Sequence, residues 1–264
     1  MKRYIGLITD FGEKDFFIGV LKGVIKKINP DVEIIDIANG LPSFYLDSAS
    51  FVIEKNIHYF PPVTVFLVVV DPGVGTDRGI LLVSYDRYYI IAPDNGVLTP
   101  ILKKEESFVR IIDAEHYFIS NSPSTFEARD KMAPIAAYLT KGVDPSRLGS
   151  ETDDYIIKES YYPRVVSKTE IEGKIVYIDR FGNLITNISR EFLFENMSKS
   201  GFTKFKLKVK ESEITEFKRT YADGKGTPFM LIGSHGNLEV SMNRSSAFKY
   251  LKAGLNAKVT LVYY

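Results

Sequence analysis

Carboxylate side chains directly follow apolar runs at three places in this sequence, at Asp10, Asp71 and Asp94. The run before Asp71, Val63–Val70, is rich in valine and is typical of a strand that is buried on both faces of a sheet. It ends at once, because the proline that follows Asp71 cannot donate a ladder hydrogen bond. In open α/β sheets, ligands bind beyond the carboxyl ends of the strands. These carboxylates therefore predict a site for a polar ligand that carries hydroxyl or amino groups.

The turns around these strand ends supply further charged and aromatic side chains. Arg78 returns a positive charge towards Asp71, although a surface ion pair without function explains that spacing equally well. Phe44, Phe126 and Phe181 lie near the predicted turns, where they would either stack on a base or pack in the core. Residue types and spacing alone therefore indicate a nucleoside-like or sugar-like small-molecule ligand.

Composition excludes several other classes of protein. The 264 residues suffice for one large domain or two smaller ones, and 45% of them are apolar. A net charge of +1, with both signs mixed along the chain, argues against nucleic acid as a partner. No apolar run approaches the ~20 residues that span a bilayer, and the first residues do not resemble a signal peptide. We therefore predict a cytoplasmic protein without a membrane partner.

The sequence predicts neither a metal nor a cofactor. It contains no cysteine, and its three histidines, His58, His116 and His235, are scattered along the chain. It also has no phosphate-binding P-loop and no G-x-S-x-G nucleophile motif.

Apolar periodicity predicts an α/β domain over residues 1–150. Strand Tyr4–Thr9, helix Asp15–Ile28 and strand Glu33–Ile37 form a βαβ unit, in which Gly19 and Gly23 would let the helix approach the sheet closely. The other predicted elements of this domain are a helix at Asp47–Tyr59, strands at Val63–Val70, Gly79–Ser84, Tyr88–Ala92 and Phe108–Ile112, and a helix from Ser124 to about Thr140. We expect a Rossmann-like domain with a mostly parallel central sheet.

A weakly patterned stretch, 151–170, is predicted to be a linker to a second domain over 171–264. No βα alternation recurs there, and Phe205–Lys210 alternates cleanly between apolar and charged residues. The other predicted elements are strands at Gly173–Asp179, Leu184–Ile188, Pro228–Ile232, Leu238–Met242 and Ala257–Tyr264, and a helix at Ser246–Leu251. This pattern predicts an antiparallel, barrel-like β domain.

Six short motifs connect these observations to one family. In chain order they are Thr9-Asp10-Phe11-Gly12, Val70-Asp71-Pro-Gly-Val-Gly75-Thr, Ala92-Pro93-Asp94-Asn95-Gly96, Ser124-Thr-Phe-x-x-Arg129-Asp130, Ile178-Asp179-x-Phe181-Gly182-Asn183 and Gly233-Ser234-x-Gly236-x-Leu238-Glu239. Each motif alone is weak, but six in this order are specific. The chain resembles, nearly end to end, the S-adenosyl-L-methionine (SAM) hydrolase family, also called SAM hydroxide adenosyltransferases, which is related to fluorinating and chlorinating enzymes.

The resemblance implies hydrolysis of SAM to adenosine and L-methionine, with water or hydroxide attacking C5′ of the ribose. It also implies a homotrimer, in which each site lies between the N-terminal domain of one subunit and the C-terminal domain of its neighbour. Within the N-terminal domain, Asp10 would bind the ribose hydroxyls, Asp15 would meet the methionine end, and Phe44 would flank the ligand, with Thr125 and Phe126 beside it. The residues that the neighbouring subunit would contribute to methionine or adenine are Asp179, Phe181, Asn183, Ser234 and Asn243.

The family activates its nucleophile with an Asp–Arg–His set, of which this chain matches two members. Asp71 and Arg78 correspond to the first two, and Asp71 favours water over halide because the halogenating relatives lack this residue. The third position carries Glu127, since the family's Thr-Phe-His-Gly-Arg-Asp here ends in Glu127-Ala-Arg-Asp. Our hypothesis is that Glu127 replaces the histidine as a general base, provided that desolvation raises its pKa.

The departure at Glu127 leaves a second interpretation open. Glu127 would instead capture Arg78 or Arg129 in an ion pair, which would leave a weak or inactive protein that binds adenosine or SAM. Halogenation is disfavoured by Asp71, and a methyltransferase is disfavoured because no glycine-rich loop follows the first strand.

Overall fold

The computed structural model describes residues 2–105, 107–122 and 124–264. The chain divides into two compact units, one ending at Lys158 and the other spanning Glu159–Tyr264. The division falls inside the stretch that the sequence predicts to be a linker, and the predicted domain bounds themselves stay predictions. In the described part of the chain, no helix has the length and apolar character that crossing a membrane requires.

Unit 1 alternates strands and helices along the chain. Its strands are β1 (Tyr4–Thr9), β2 (Glu33–Ala38), β3 (Val65–Val69), β4 (Ile80–Tyr85), β5 (Tyr88–Pro93), β6 (Ser107–Ile112) and β7 (Gly149–Glu151). Its α-helices are α1 (Phe17–Ile28), α2 (Leu46–Asn56), α3 (Thr99–Leu102) and α4 (Ala133–Thr140), and a π-helical segment, Ala128–Met132, leads directly into α4. Short 3₁₀ turns occur at Ile57–Tyr59, Glu115–Tyr117 and Pro145–Arg147.

The strands of unit 1 form one seven-stranded sheet in the order β2-β1-β3-β5-β4-β6-β7. The first four of these are parallel, and β4, β6 and β7 extend the sheet by antiparallel pairs. Thr9 pairs with Val69, so β1 and β3 end side by side. The carboxylates that follow these two strands consequently lie at the same edge of the sheet. The predicted α/β fold with parallel central strands is confirmed.

The central strand β3 is covered on both faces, as its continuous apolar sequence predicts. Val65, Leu67 and Val69 pack into a core with α1 and α4, where the alanines of α4 permit close approach. Phe66 points to the opposite face, in line with the two-residue period of a strand, and meets the rings of Phe60 and Tyr88.

Unit 2 is built mainly from antiparallel strands. These are β8 (Arg164–Val165), β9 (Glu170–Ile178), β10 (Leu184–Ser189), β11 (Phe205–Val209), β12 (Ser212–Ile214), β13 (Phe229–Ile232), β14 (Asn237–Ser241) and β15 (Lys258–Tyr263). Two α-helices, α5 (Arg190–Ser200) and α6 (Ala247–Leu251), and 3₁₀ turns at Glu159–Tyr161 and Tyr221–Asp223 complete the unit.

The sheet of unit 2 follows the order β12-β11-β15-β9-β10-β14-β13, with β8 paired to β9. Its two ends approach one another, because Met230 of β13 exchanges backbone hydrogen bonds with Glu216 and Lys218, which follow β12. The sheet is therefore nearly closed, which removes most of its free edge. This confirms the predicted barrel-like β architecture.

Candidate active site

A cavity of about 330 Å³ opens at the carboxyl ends of β1 and β3 in unit 1. It brings together side chains from the strand ends, the loop before α2 and the turn before the π-helical segment. The lining residues that the sequence predicts as functional are Asp10, Phe44, Asp71, Thr125, Phe126 and Glu127. These residues are up to 117 positions apart in sequence (127 − 10), so the fold alone assembles them.

Asp10 holds the loop at the mouth of this cavity. Its Oδ2 accepts a hydrogen bond of 2.9 Å from the backbone N–H of Phe44. Phe44 has a φ of 69°, a left-handed conformation that is uncommon for a bulky residue, and its ring is 68% exposed. Burial raises the pKa of Asp10; the bond from Phe44 opposes this effect, and the negative charge of Asp71 adds to it. Asp10 therefore fixes an exposed aromatic ring beside the cavity.

Arg78 joins the two carboxylates, Asp71 and Glu127, that line the cavity. Its Nε donates to Oδ1 of Asp71 at 2.9 Å, and its Nη2 donates both to Oδ2 of Asp71 and to Oε2 of Glu127, the latter at 2.5 Å. All three side chains are less than a tenth exposed. A guanidinium favours this bidentate pairing with a carboxylate. Nη2 carries two N–H groups, so it donates one to Asp71 and the other to Glu127. The predicted Asp71–Arg78–Glu127 set is thus assembled as one buried charge cluster.

Glu127 has further donors that oppose the effect of its burial. Burial alone would raise the pKa of its carboxyl, but a hydrogen bond from Lys131, the charges of Arg78 and Lys131, and a bond from the N–H of Gly75 hold that pKa below its usual value of 4.5. Desolvation therefore acts in the direction that our hypothesis requires, but the neighbouring donors and charges outweigh it, and the role of Glu127 as general base stays a prediction. Glu127 does capture Arg78, but Arg78 also keeps its contacts with Asp71, so both parts of the sequence-based interpretation need revision.

The turn that carries Glu127 is held by a neighbouring cluster. Ser124 Oγ donates to Asp130 at 2.6 Å and accepts from the N–H of Phe126 at 3.0 Å. Arg129 binds both oxygens of Asp130 at 2.7 and 2.8 Å. This pairing lowers the pKa of Asp130 and occupies Arg129, which accordingly is not paired with Glu127. Glu127 directly precedes the π-helical segment and lines the cavity. Segments of this kind are frequent at functional sites.

Three phenyl rings form an apolar wall of the cavity, and only Phe126 among them was predicted as a site residue. Phe126 contacts Phe11 and Phe17 edge to face, with ring centroids 5.7 and 5.2 Å apart. In the sequence, Phe11 directly follows Asp10 in the first motif, which was the signal for its role. Phe17 is the first residue of α1 and had no such signal. Asp15 does not line this cavity; it lies in a shallow, polar depression with Lys22.

The third carboxylate that follows an apolar strand has a structural contact. Asp94 Oδ1 accepts from the N–H of Ile156 at 2.8 Å, and burial raises the pKa of Asp94. Asn95 donates to the carbonyl of Val70 at 3.0 Å. Both therefore brace the end of the sheet, and neither lines the cavity.

A second cavity, of about 700 Å³, lies in unit 2 and gathers four more of the predicted residues. Asp179 accepts bonds from the N–H groups of Phe181 and Asn183 and from the Asn183 amide, all at 2.8–2.9 Å. This tight turn presents Phe181 with 77% of its surface exposed. The lining residues are Asp179, Phe181, Asn183, Tyr221, Met242, Asn243, Arg244, Ser245 and Ser246. Ser234 does not line it; it is exposed in the turn between β13 and β14.

Tyr221 also lines this cavity without having been predicted, and a buried carboxylate orients it. Glu239, only 2% exposed, accepts from the Tyr221 hydroxyl at 2.8 Å, from Ser241 at 2.7 Å and from the His235 ring at 2.9 Å. Burial would raise the pKa of Glu239, but these partners lower it overall. Burial and Glu239 together raise the pKa of Tyr221. Glu239 is the last residue of the sixth motif, and its place in that motif was the only sequence signal for this network.

A metal site does not emerge from the charged clusters. Within 2–105, 107–122 and 124–264, no three His, Asp or Glu side chains converge in a way that would hold a metal ion.

Comparison with known proteins supplies the family. Residues 5–149 match the model of the SAM hydroxide adenosyltransferase N-terminal domain, and residues 173–260 match that of the C-terminal domain. The two matches cover most of the chain, in the order in which its α/β and β units occur. The chain belongs to the SAM hydroxide adenosyltransferase family.

Individual relatives extend over the whole chain. A protein of Methanocaldococcus jannaschii named (R)-S-adenosyl-L-methionine hydrolase is 33% identical and covers 98% of this chain and 95% of its own. A protein of the same name from Thermus thermophilus is 30% identical, covering 93% and 94%. The crystal structure of an uncharacterized conserved protein from Thermotoga maritima superposes with a TM-score of 0.86 at 34% identity, over 98% and 99% of the two chains. The predicted family membership is confirmed.

Proposed function

We propose that this protein hydrolyses S-adenosyl-L-methionine to adenosine and L-methionine, with water attacking C5′ of the ribose. The observation that carries the proposal is that Arg78 joins Asp71 and Glu127, two carboxylates that line the same cavity as Asp10. Full-length relatives named as hydrolases support the same reaction.

The reaction places its main demand on the nucleophile. A sulfonium leaves as a neutral thioether, so the leaving group needs no general acid. The water must instead be oriented in line, stripped of part of its hydration and relieved of a proton. Nη2 of Arg78 donates to both Asp71 and Glu127 and so holds the two carboxylates next to each other, and both carboxylates line the cavity. We place the attacking water on the cavity side of these carboxylates, with one of the two accepting its proton.

Charge at the cavity floor suits this substrate and this nucleophile. Arg78 and Lys131 balance the two negative charges of Asp71 and Glu127, and Asp10 adds a third carboxylate to the lining, which leaves a surplus of one negative charge. The resulting negative potential attracts a sulfonium cation and repels a halide anion. Water is therefore the nucleophile that this cavity favours.

Binding roles follow the positions of the remaining side chains. We assign Asp10 to the ribose hydroxyls, and Phe44, Thr125 and Phe126 to the flanks of the nucleoside. We further propose a homotrimer, in which the unit 2 cavity of a neighbouring copy supplies Asp179, Phe181, Asn183 and Asn243. The roles of Asp15 and Ser234 stay predictions, because neither residue lines either cavity.

A second candidate is a protein that binds adenosine or SAM with little turnover. The observation in its favour is that Glu127 accepts bonds from Arg78, Lys131 and Gly75, which lower its pKa and so weaken it as a base. Both candidates require the same ligand, and only turnover separates them.

The decisive experiment is to incubate the purified protein with SAM and to follow adenosine and methionine by chromatography across pH. Equimolar release of both products, lost in Asp71→Asn, would establish the hydrolase. Tight binding of adenosine in calorimetry with no products would establish the binding protein instead.

The trimer has its own test, which is co-expression of two inactive variants, one in each unit. Asp71→Asn and Phe181→Ala chains would restore about one quarter of the sites if each site draws on two copies and mixing is random. Activity that stays at the level of the separate variants would argue for sites within single chains.

A further inference from the structure

Lys131 contacts the catalytic cluster but lies outside the predicted site. Its Nζ donates to Oε1 of Glu127 at 2.5 Å, on the side of the carboxylate opposite to Arg78. Only 20% of the Lys131 side chain is exposed, and its ammonium also lies 5.9 Å from the centre of the Phe118 ring. These contacts restrict an ordinarily mobile side chain to one position.

The charges around Glu127 explain why such a partner matters. From the loop after β3, Glu127 faces Arg78 and the N–H of Gly75, and Asp71 lies on the other side of Arg78. From its own helical segment it faces Lys131. Without Lys131, two carboxylates less than a tenth exposed would share one guanidinium. A buried surplus charge of that kind is strongly unfavourable and would be relieved by protonation or by movement.

We propose that Lys131 is a positioning residue for the hydrolysis: it balances the charge of Glu127 and orients it, so that Arg78 keeps its bidentate contact with Asp71. The inference rests on the proposed function. It also offers a reason why this chain accommodates a glutamate where the family motif has a histidine: a neutral histidine beside Arg78 needs no second cation, whereas a glutamate does.

The proposal predicts a specific change in pH dependence. In Lys131→Met, Glu127 loses the hydrogen bond and the positive charge of Lys131, and therefore titrates at a higher pH. The acid limb of kcat/KM should move up by about one pH unit, with a loss of rate of up to about threefold at pH 5 and almost no loss at pH 8. Lys131→Arg retains the positive charge and should restore the wild-type profile.

Two comparisons separate positioning from a merely structural contribution. The first is Lys199→Met, which removes a lysine from an exposed i,i+4 pair with Glu195 at 2.6 Å and should leave the profile unchanged. The second is Lys131→Met in a Glu127→Gln background, where it should have no further effect on the rate, because the charge that Lys131 balances is gone. An unmoved acid limb, or an equal rate loss in both backgrounds, would overturn the proposal.

Failure of hydrolysis itself would be seen separately. If the wild-type protein releases no adenosine, the proposed function fails, and the inference is then judged by ¹³C NMR titration of the glutamate side-chain carboxyls. A Glu127 signal that titrates at higher pH in Lys131→Met supports the contact as the determinant of its ionisation. A signal that titrates at the wild-type pH overturns it.

Discussion

Nη2 of Arg78 lies 2.5 Å from Oε2 of Glu127, two residues that are 49 positions apart in sequence. This contact ties the loop after β3 to the turn before the π-helical segment. It also means that the residue at the family's histidine position is an ionised carboxylate rather than a neutral ring. The chemistry of the cavity therefore depends on how two buried negative charges are divided between Arg78 and Lys131.

Asp71→Asn should abolish most turnover while leaving ligand binding nearly intact. The amide keeps the shape of the side chain but loses the charge that Arg78 binds, together with the capacity to accept a proton. We expect kcat to fall by about 10²–10⁴, the range typical of general-base catalysis. Adenosine affinity, measured by calorimetry, should change only a few-fold.

The matched control is Asp86→Asn, which alters an exposed aspartate that pairs with Arg87 and does not line the cavity. It should behave as the wild type. Full turnover in Asp71→Asn would remove this residue from the mechanism.

Glu127→His should shift the pH range of activity. Because the pKa of Glu127 lies below 4.5 in the folded protein, the carboxylate stays ionised above that pH, and activity that depends on it is lost only as the pH falls through the lowered pKa. A histidine becomes protonated near pH 6.5. The wild type should therefore remain active at pH 5.5, where the His variant has lost most of its rate.

Initial-rate profiles from pH 4.5 to 8.5 test this prediction, with Glu127→Gln as the reference without a base. If Glu127→Gln turns over SAM as fast as the wild type, Glu127 is not the base, and the proton acceptor is Asp71 or solvent.

Asp10→Asn should stabilise the folded protein and weaken ligand binding. Burial raises the folded-state pKa of Asp10, so its ionisation costs free energy of folding, and that cost is fully present once the pH exceeds the raised pKa. Removing the charge should raise Tm by about a degree at pH 7, and by less at pH 3.5, where Asp10 is largely protonated in the folded state. The variant's Oδ1 can still accept the Phe44 N–H, so the loop should stay in place.

The same change should weaken adenosine binding by about tenfold, if Asp10 holds the ribose hydroxyls. Thermal scans at the two pH values and calorimetry check both halves. A variant that is less stable at pH 7, or that binds adenosine as tightly as the wild type, would contradict the assignment.

Strands with a strong apolar pattern could be predicted from sequence, and elements formed by context could not. β1 has the predicted bounds, and β3 lies within its predicted range, because continuous apolar runs between turn residues have few alternatives. Helix α5 was not predicted, although Ser189 caps its N-terminus and Gly201, with a φ of 81°, ends it. Of its residues only Leu193 and Ser200 are buried, so it has no wide apolar face to reveal a helical period.

The prediction that Gly19 and Gly23 let helix α1 approach the sheet closely is wrong. A Cβ added to Gly19 or Gly23 would meet nothing within 4 Å, and both glycines are exposed. They are therefore not points of close approach to the sheet. Leu21 and Ile25 make that contact instead, and the apolar spacing of the helix already indicated the buried side.

Motifs predicted the polar part of the site, but not the partners that the fold supplies. Asp10 and Asp71 meet because β1 and β3 are parallel neighbours, which the position of carboxylates after buried strands anticipated. Lys131 and Phe11 become visible only when the π-helical segment and the aromatic wall are in place. Tyr221 could not be predicted either, because its partner Glu239 is 18 residues away in the sequence and only the fold brings the two together.

Steric contact, rather than backbone conformation, makes Gly149 the most sensitive glycine in the sheet of unit 1. A Cβ built on Gly149 would lie 2.0 Å from the carbonyl oxygen of Ile111, a backbone atom that β6 and β7 hold in register. Gly149→Ala should therefore destabilise the protein by about 2–4 kcal/mol, since neither strand can move aside cheaply. Gly19→Ala is the matched control: it adds the same methyl to an exposed helical position with open space and should stabilise by about 0.5–1 kcal/mol. Urea unfolding of the two variants beside the wild type measures both, and a Gly149→Ala variant within 0.5 kcal/mol or so of the wild type would mean that β7 is not held against β6 as described.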